Sequence, residues 1–319
     1  MNERHLQVLH LVTESHIASA APVASSRVAE QLHVSSATIR NDFQTLEAHG
    51  LLQQPHTSAG RIPTTLGYAQ YVQYTLPPVP LPAASRQHIR QYLAQFSGAE
   101  LFRGFAKLAA HMSGYAVTIT VRPEHPGDPV RVQLARQEGS TVEVTVQYAG
   151  GKTGSAHASL PKPAAPEVIR MAEEWLNELC ARYPEALHEL ATVANRITND
   201  DGRRLVQHIA QVWANTVPRT RYRDGLPQLL DEPEGSLAQF VRLAVHAVES
   251  DSRPSGEHWT LPSETPLSLH IADVLAHVQT SVTHAGHIAQ VALIGPSRMR
   301  YRNALSILAG LPTMLQAGP

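Results

Sequence analysis

The sequence predicts a multidomain α+β protein whose first unit is three helices closed by a small β-hairpin. Three observations carry this prediction. Residues 22–71 read as helix, tight turn, helix and hairpin, in that order, which is the arrangement of a winged helix-turn-helix. Further on, the apolar period switches to two in 115–121, 130–134 and 142–148, which is typical of strands. Between the two regions, the proline-rich stretch 76–83 predicts an extended, semi-rigid domain boundary.

Length and composition place the chain among ordinary globular proteins of two or three domains. It has 319 residues, of which 43% are hydrophobic and 17% charged. No apolar run is long enough to span a membrane and no signal peptide is evident, so we expect no membrane association and a cytoplasmic location. Cys180, the only cysteine, excludes an intrachain disulfide and should be buried. A net charge of −1 gives no general attraction for nucleic acid.

Helical spacing of apolar residues defines the N-terminal unit. Residues 3–17 form the first predicted helix, with Leu6, Leu9 and Val12 on one stripe. Ser25 or Ser26 can cap a second helix, which ends at the turn 32–34. Ser35 or Ser36 can cap a third helix that ends near Gly50.

The third helix has an unusual exposed face. Ile39, Phe43 and Leu46 fall at i, i+4 and i+7 and must face the core. The opposite face is polar and carries no lysine, whereas a merely solvated face would more usually carry Glu and Lys; this favours base reading. We expect Asn41 and Gln44 to contact base edges and Arg40 to contact a guanine or a phosphate. Ser36 and Thr38 should contact the DNA backbone.

The hairpin that follows predicts a wing. Residues 51–54 and 61–62 read as its strands, and Gly60 as a permissive backbone position at the return. Small hydroxyl residues beside one arginine suit a loop that lies on phosphates or in a minor groove. An ordinary solvated hairpin is the alternative, which the preceding recognition helix makes less favourable. The candidate DNA contacts here are His56, Thr57, Ser58 and Arg61.

The remainder of the chain reads as mixed helix and strand. Helices are predicted over 85–113, 166–209, 236–249 and 298–309, a strand over 290–294, and a loop over 254–266. No catalytic signature stands out: the Gly150–Thr153 segment lacks the first glycine of a phosphate-binding loop, and no acidic or Cys residue completes a metal site with His284 and His287. We therefore expect no enzyme activity, no cofactor and no metal.

Five segments resemble the bacterial family of heat-inducible transcription repressors called HrcA. They are SSATIRND (35–42), GLLQQPHTSAGRIPT (50–64), GYAQYV (67–72), YRDGLPQLLDEPE (222–234) and GHIAQVALIGPSRMRY (286–301). Their order and spacing also agree with that family, so the resemblance covers nearly the whole chain. Residues 255–285 match it least.

The resemblance implies an architecture and a function. It implies a winged helix-turn-helix DNA-binding domain over 1–76, a GAF-like α/β domain over 84–160 and 256–319, and an inserted helical dimerisation domain over 161–255. It also implies a homodimer that binds double-stranded DNA at an inverted-repeat operator, the CIRCE element, and represses chaperone operons. The chaperonin GroEL would keep it active until heat diverts GroEL to unfolded proteins.

Two other functions are compatible with the residues themselves. A ligand-gated repressor of metabolic genes would hold a small molecule in the strand-bearing domain. An enzyme with an attached DNA-binding module would need a catalytic constellation that the sequence does not show.

Residues 1–76 hold four arginines and no lysine against five acidic residues, so DNA binding must depend on a few placed contacts and on dimerisation.

Overall fold

The N-terminal unit is a winged helix-turn-helix, as predicted. The structure, a computed structural model, describes residues 2–56, 59–75, 78–250, 256–263, 265–272 and 274–315. Asn2 caps the first helix, and Ser35 caps the third by accepting from the Thr38 N–H at 3.1 Å. His33 takes the left-handed conformation in the turn before the third helix. The elements are α1 Glu3–Ser19, α2 Ser25–Leu32, α3 Ser36–Ala48, β1 Leu52–Gln53, β2 Ile62–Pro63 and α4 Thr65–Thr75.

One apolar cluster joins α1, α2, α3 and the hairpin. Its buried members include Leu9, Val28, Ile39 and Leu52. β1 pairs with β2, and Val23, before α2, bridges to Arg61 through two backbone hydrogen bonds of 2.9 Å. Gly60 serves this bridge in a way the sequence did not indicate. Its φ is not positive, but a Cβ there would overlap the Val23 carbonyl, so the close approach of two backbones requires glycine.

The chain then forms the first part of a second domain before a separate compact unit begins. Two helices and a strand come first: α5 Ala83–Leu93, α6 Ala99–Ser113 and β3 Ala116–Pro123. Three strands and three helices follow: β4 Pro129–Arg136, β5 Thr141–Tyr148, β6 Thr153–Ser159, α7 Pro166–Arg182, α8 Leu190–Val193 and α9 Asp200–Val212. The strands pair antiparallel in the order β4-β5-β6, and the helices cover one face of this sheet. Helix α7 also protects the sheet edge, because the Asn177 side chain bonds both backbone groups of Val132.

The rest of the chain completes the second domain. Its elements are β7 Thr220–Asp224, α10 Leu226–Leu230, α11 Ala238–Glu249, β8 Glu257–Leu261, β9 Leu267–Ala272, β10 Leu275–His284, β11 His287–Pro296 and α12 Tyr301–Leu315. A six-stranded sheet runs β7-β3-β11-β10-β9-β8, and α12 packs on it beside α5 and α6. We call these strands, with α5, α6 and α10 to α12, the sheet domain. The predicted multidomain α+β architecture, with an N-terminal winged helix-turn-helix followed by mixed α/β units, is confirmed.

The compact units have other limits than the sequence-based ranges. One unit comprises 1–120, 221–285 and 289–319, so the winged helix and the sheet domain lie within it; the other, the inserted unit, comprises 121–220 and 286–288. The predicted dimerisation domain, 161–255, starts later than the inserted unit because the sequence assigned the stretch that forms β4 to β6 to the GAF-like domain. In the structure these strands share a core with α7 and α9. The inserted unit is therefore mixed, with a sheet as well as helices.

Several strands escaped the sequence analysis. The predicted loop 254–266 contains β8, and the strands β6, β7, β9 and β10 were also not predicted. Residues 254, 255 and 264 of that loop lie outside the described part of the chain, as do residues 76 and 77 of the predicted linker. β8 is an edge strand in which only Leu261 is fully buried. β6 consists of small and polar residues. Such strands are held mainly by backbone pairing, so they lack the apolar alternation that reveals a strand.

Candidate nucleic-acid interface

Helix α3 presents the face that the periodicity predicted. Ile39, Phe43 and Leu46 are buried. The side chains on the opposite face are exposed, namely those of Ala37, Arg40, Asn41 and Gln44. A helix with this exposed polar face has the hydrogen-bonding groups needed to read base edges in a major groove.

The first turn of α3 is occupied by its own cap. The Ser35 and Thr38 hydroxyl oxygens lie 2.8 Å apart, and Ser36 and Thr38 are half-buried. The uncapped N–H groups of a helix N-terminus carry partial positive charge, which suits a phosphate. Contacts to the DNA backbone from Ser36 and Thr38 stay a prediction that this geometry allows.

Asp42 anchors α3 from behind. Its side chain is only 3% exposed, and its carboxylate lies 2.8 Å from Arg4 Nη2 and 3.4 Å from His5 Nε2, both near the start of α1. An acidic residue in a DNA-reading helix would repel phosphates if it faced outward. Here the charge is turned inward and ties α3 to α1, so it fixes the pose of the reading face. Its position, three residues after Ile39 on the buried stripe, is the sequence signal for this role.

Arg61 has a structural role that its prediction as a DNA contact did not anticipate. Its Nη2 lies 2.9 Å from Glu47 Oε2, and its guanidinium stands 6.0 Å from the centre of the Phe43 ring. The side chain is only 16% exposed, and its backbone forms the bridge to Val23. Arg61 therefore braces the wing against α3 instead of projecting toward solvent.

Arg27 is a candidate contact that the sequence analysis missed. It lies in the first turn of α2, is exposed, and like Arg40 makes no side-chain hydrogen bond or ion pair within the described part of the chain. The other two arginines of the winged helix, Arg4 and Arg61, are each paired with a carboxylate. The signal in the sequence was the position of Arg27 in the first turn of a helix, where phosphates are commonly bound; the predicted serine cap does not form, because Ala24 is the N-cap residue and makes no side-chain hydrogen bond.

The tip of the wing is only partly described. His56 is exposed, and its carbonyl accepts from the Ala59 N–H at 2.8 Å. The Gln54 side chain donates to the Ala59 carbonyl at 3.0 Å. Thr57 and Ser58, two of the predicted DNA contacts, lie outside the described residues.

Other chemistry is sparse in the described part of the chain. No three His, Cys, Asp or Glu side chains there cluster in a way that could hold a metal. The described helices include none with the length and apolar character needed to cross a bilayer. Cys180 is buried as expected, and burial raises the pKa of its thiol to about 11.

Comparisons with known proteins match both parts of the chain. Residues 99–305 match the family model described as the HrcA protein C-terminal domain, and residues 4–65 match a DeoR-like helix-turn-helix domain. Proteins named heat-inducible transcription repressor HrcA are similar over nearly the full length. That of Cyanothece sp. is 32% identical and that of Moorella thermoacetica 30%, each alignment covering 97% of this chain and 95% of the relative. A crystal structure titled as that of a hypothetical protein shares the fold, with a TM-score of 0.52, 20% identity, and coverage of 99% of this chain and 97% of that one.

Proposed function

The chain belongs to the HrcA family of heat-inducible transcription repressors, and on that premise we propose that it represses chaperone operons as a cytoplasmic homodimer bound to an inverted-repeat CIRCE operator. The observation that carries this proposal is the exposed, lysine-free face of α3, with Arg40, Asn41 and Gln44 side by side. Arginine bonds guanine bidentately, and Asn and Gln bond adenine, in the major groove.

A dimer supplies the specificity that one α3 lacks. A single recognition helix reads only a few base pairs, so a two-fold dimer on two half-sites is needed for a useful specificity. We assign dimerisation to the inserted unit. The inserted unit has its own apolar core, which includes Val144, Leu176 and Val206, so it is a compact unit that can offer a surface to a second copy. The resemblance implies this role for the domain inserted in the chain.

Heat inactivation needs no dedicated sensor in this proposal. A dimer of marginal stability dissociates and releases its operator by mass action as temperature rises. GroEL, as the resemblance implies, would restore the active state and would be diverted by unfolded proteins during heat shock.

Fluorescence anisotropy tests the proposal on the purified full-length chain. A labelled chaperone-operon inverted repeat and a scrambled duplex of equal length are titrated at increasing temperature, with and without GroEL. We expect a clear preference for the repeat that fades on heating and is restored by GroEL. Equal affinity for both duplexes would contradict the operator assignment and favour a ligand-gated repressor instead. Binding that GroEL leaves unchanged would remove only the chaperonin from the proposal.

A further inference from the structure

Arg298 joins the winged helix to the sheet domain. It follows β11 in the segment that resembles the family's C-terminal motif, and it is only 8% exposed. Its Nε and Nη2 lie 2.6 and 2.8 Å from the two carboxylate oxygens of Glu234, and Nη2 also lies 2.9 Å from Glu232 Oε2. Its Nη1 donates to the Ile17 carbonyl at 3.2 Å. We call Arg298, Glu232, Glu234 and the Ile17 carbonyl the Arg298 cluster.

The Ile17 carbonyl is a suitable anchor on the winged helix. Ile17 lies in the last turn of α1, where carbonyls lack intrahelical donors and carry partial negative charge. A guanidinium has five donors in a fixed planar fork, so one group can bond two carboxylates and this carbonyl together. The cluster therefore fixes the orientation of α1 relative to the sheet domain as well as the distance between them.

Groups around the cluster hold Glu232 and the neighbouring helix α12. Arg300 Nη2 lies 3.4 Å from Glu232 Oε1, and the Arg300 guanidinium stands over the Tyr115 ring at 5.3 Å. Tyr301, fully buried at the start of α12, lies 6.0 Å from the ring of Tyr68 on α4 and donates to the Ser297 carbonyl at 2.6 Å. The winged helix is thus seated on a packed surface of the sheet domain at this point.

A second pair links the same two domains at the surface. Arg302 Nη2 lies 3.5 Å from Glu14 Oε1, with the side chains 56% and 41% exposed. Exposed pairs of this kind contribute little, because water and salt screen them. Removing Arg298, in contrast, leaves Glu234 without a cation and Glu232 with only its longer contact to Arg300, both in a largely buried site, and such a loss is strongly unfavourable.

We infer that Arg298 is a positioning residue, which sets the orientation of the winged helix on the sheet domain and so the half-site spacing that the dimer accepts. The contacts above support the claim that Arg298 sets the orientation. The claim about half-site spacing rests on the proposed function, because half-sites matter only if a dimer binds an inverted repeat. Arg298 itself touches no DNA in this proposal.

Distance measurement in the free protein tests the orientation without DNA. Spin labels at E30C on α2 and Q290C on β11, both exposed positions, are introduced into a C180A background of the full chain. Double electron–electron resonance should give one narrow distance for the parent. We expect a broad or shifted distribution for Arg298→Met, a partial change for Arg298→Lys, and no change for Arg302→Gln, the matched control. If Arg298→Met fails to fold, Arg298→Lys carries the test, because it keeps the charge.

Operator spacing tests the consequence. Inverted repeats whose half-sites are moved by one, two or five base pairs are compared with the natural spacing in the same variants. We expect the parent and Arg302→Gln to lose about tenfold or more on altered spacings, since misaligned half-sites require twisted or bent DNA. Arg298→Lys should bind all spacings more equally, with unchanged binding to a single half-site.

The outcomes separate the two proposals. A distance distribution in Arg298→Lys as narrow as in the parent and at the same mean, or equal broadening in Arg302→Gln, would overturn the inference whatever the DNA result. A parent that shows no preference for the inverted repeat would overturn the proposed function, while the distance measurement would still decide the orientation. A changed distance with unchanged spacing preference would overturn the link to half-site spacing.

Discussion

Arginine side chains in the winged helix differ in whether the protein itself neutralises them. Arg4 and Arg61 face Asp42 and Glu47 at 2.8 and 2.9 Å. Arg27 and Arg40 are exposed and make no ion pair within the described residues. The part of the DNA affinity that arises from counterion release at phosphates should therefore come from Arg27. Arg40 is expected at bases, and Arg61, the arginine of the wing, should not contribute because Glu47 already neutralises it.

Salt dependence distinguishes these arginines. We expect Arg27→Gln to weaken operator binding at low salt and to reduce the slope of log K against log salt by about 0.9 for each phosphate contact removed. Each protomer of a dimer contributes once. The slope is measured by anisotropy across a salt series. Arg61→Gln is the control, which should leave the slope unchanged and lower the unfolding temperature instead. A reduced slope in Arg61→Gln with none in Arg27→Gln would reverse the assignment.

Arg40 should carry specificity rather than general affinity. Arg40→Ala is expected to cost about 1–3 kcal/mol of operator binding and to relax the preference at one base position. The reason is the loss of a bidentate contact with a guanine edge, which only that base offers. Competition with operators substituted one base pair at a time measures the effect. An equal loss on every duplex, scrambled DNA included, would instead make Arg40 a phosphate contact.

At the scale of elements, a row of histidines crosses three strands of the sheet domain. His258, His270 and His277 are register partners on β8, β9 and β10, and the rings of the first two lie 4.3 Å apart. His270 and His277 are buried. Burial, helped by the nearby His270, lowers the pKa of His277 from 6.5 to about 4. The fold thus holds His277 neutral, and protonation favours the unfolded chain.

This row predicts acid sensitivity with a definite sign. Between about pH 6.5 and 4 the unfolded chain binds the His277 proton and the folded chain does not, so stability is lost as pH falls through this window. The loss should approach about 1.4 kcal/mol per pH unit at most. Urea unfolding of the parent and of His277→Gln at several pH values measures it. The variant should have a shallower slope, with a remainder from His16, whose pKa burial also lowers. Parallel slopes would exclude His277 as the source.

Periodicity predicted those elements whose side chains are sorted between core and solvent. Helices α1 to α3 were found in this way, and so was the exposed face of α3, because Ile39, Phe43 and Leu46 repeat at helical spacing. Strands β6 and β8 were missed because few of their side chains are buried, so their pairing depends on backbone hydrogen bonds that carry no residue signature. Gly60 was noticed, but its reason, the approach of Val23, is a long-range contact.

At the scale of the whole molecule, the sequence could not indicate which distant charges meet. Arg298 and Glu234 are 64 positions apart, and Arg61 and Glu47 are 14 apart. Nothing local distinguishes these side chains from the exposed Arg302 or Arg27. The proline-rich boundary suggested two separate domains, but α4 packs on β8 and β9 and places the winged helix in the same compact unit as the sheet domain. The N-terminal unit and the sheet domain should therefore lose their structure together.

This coupling leads to a prediction for heat release. If operator binding requires the dimer and unfolding separates it, the unfolding temperature should rise with protein concentration, and operator release should follow the same shift. Circular dichroism and anisotropy on one sample, over about a hundredfold range of concentration, measure both transitions. The physical reason is mass action: more protein favours the associated, folded state. An operator complex that survives at heat-shock temperature without chaperonin would contradict the mechanism. A second contradicting outcome would be operator release well below the unfolding temperature, with an unfolding temperature that does not change with protein concentration. In that second case the winged helix would be moving on an intact fold, and Arg298→Lys should lower the release temperature without lowering the unfolding temperature.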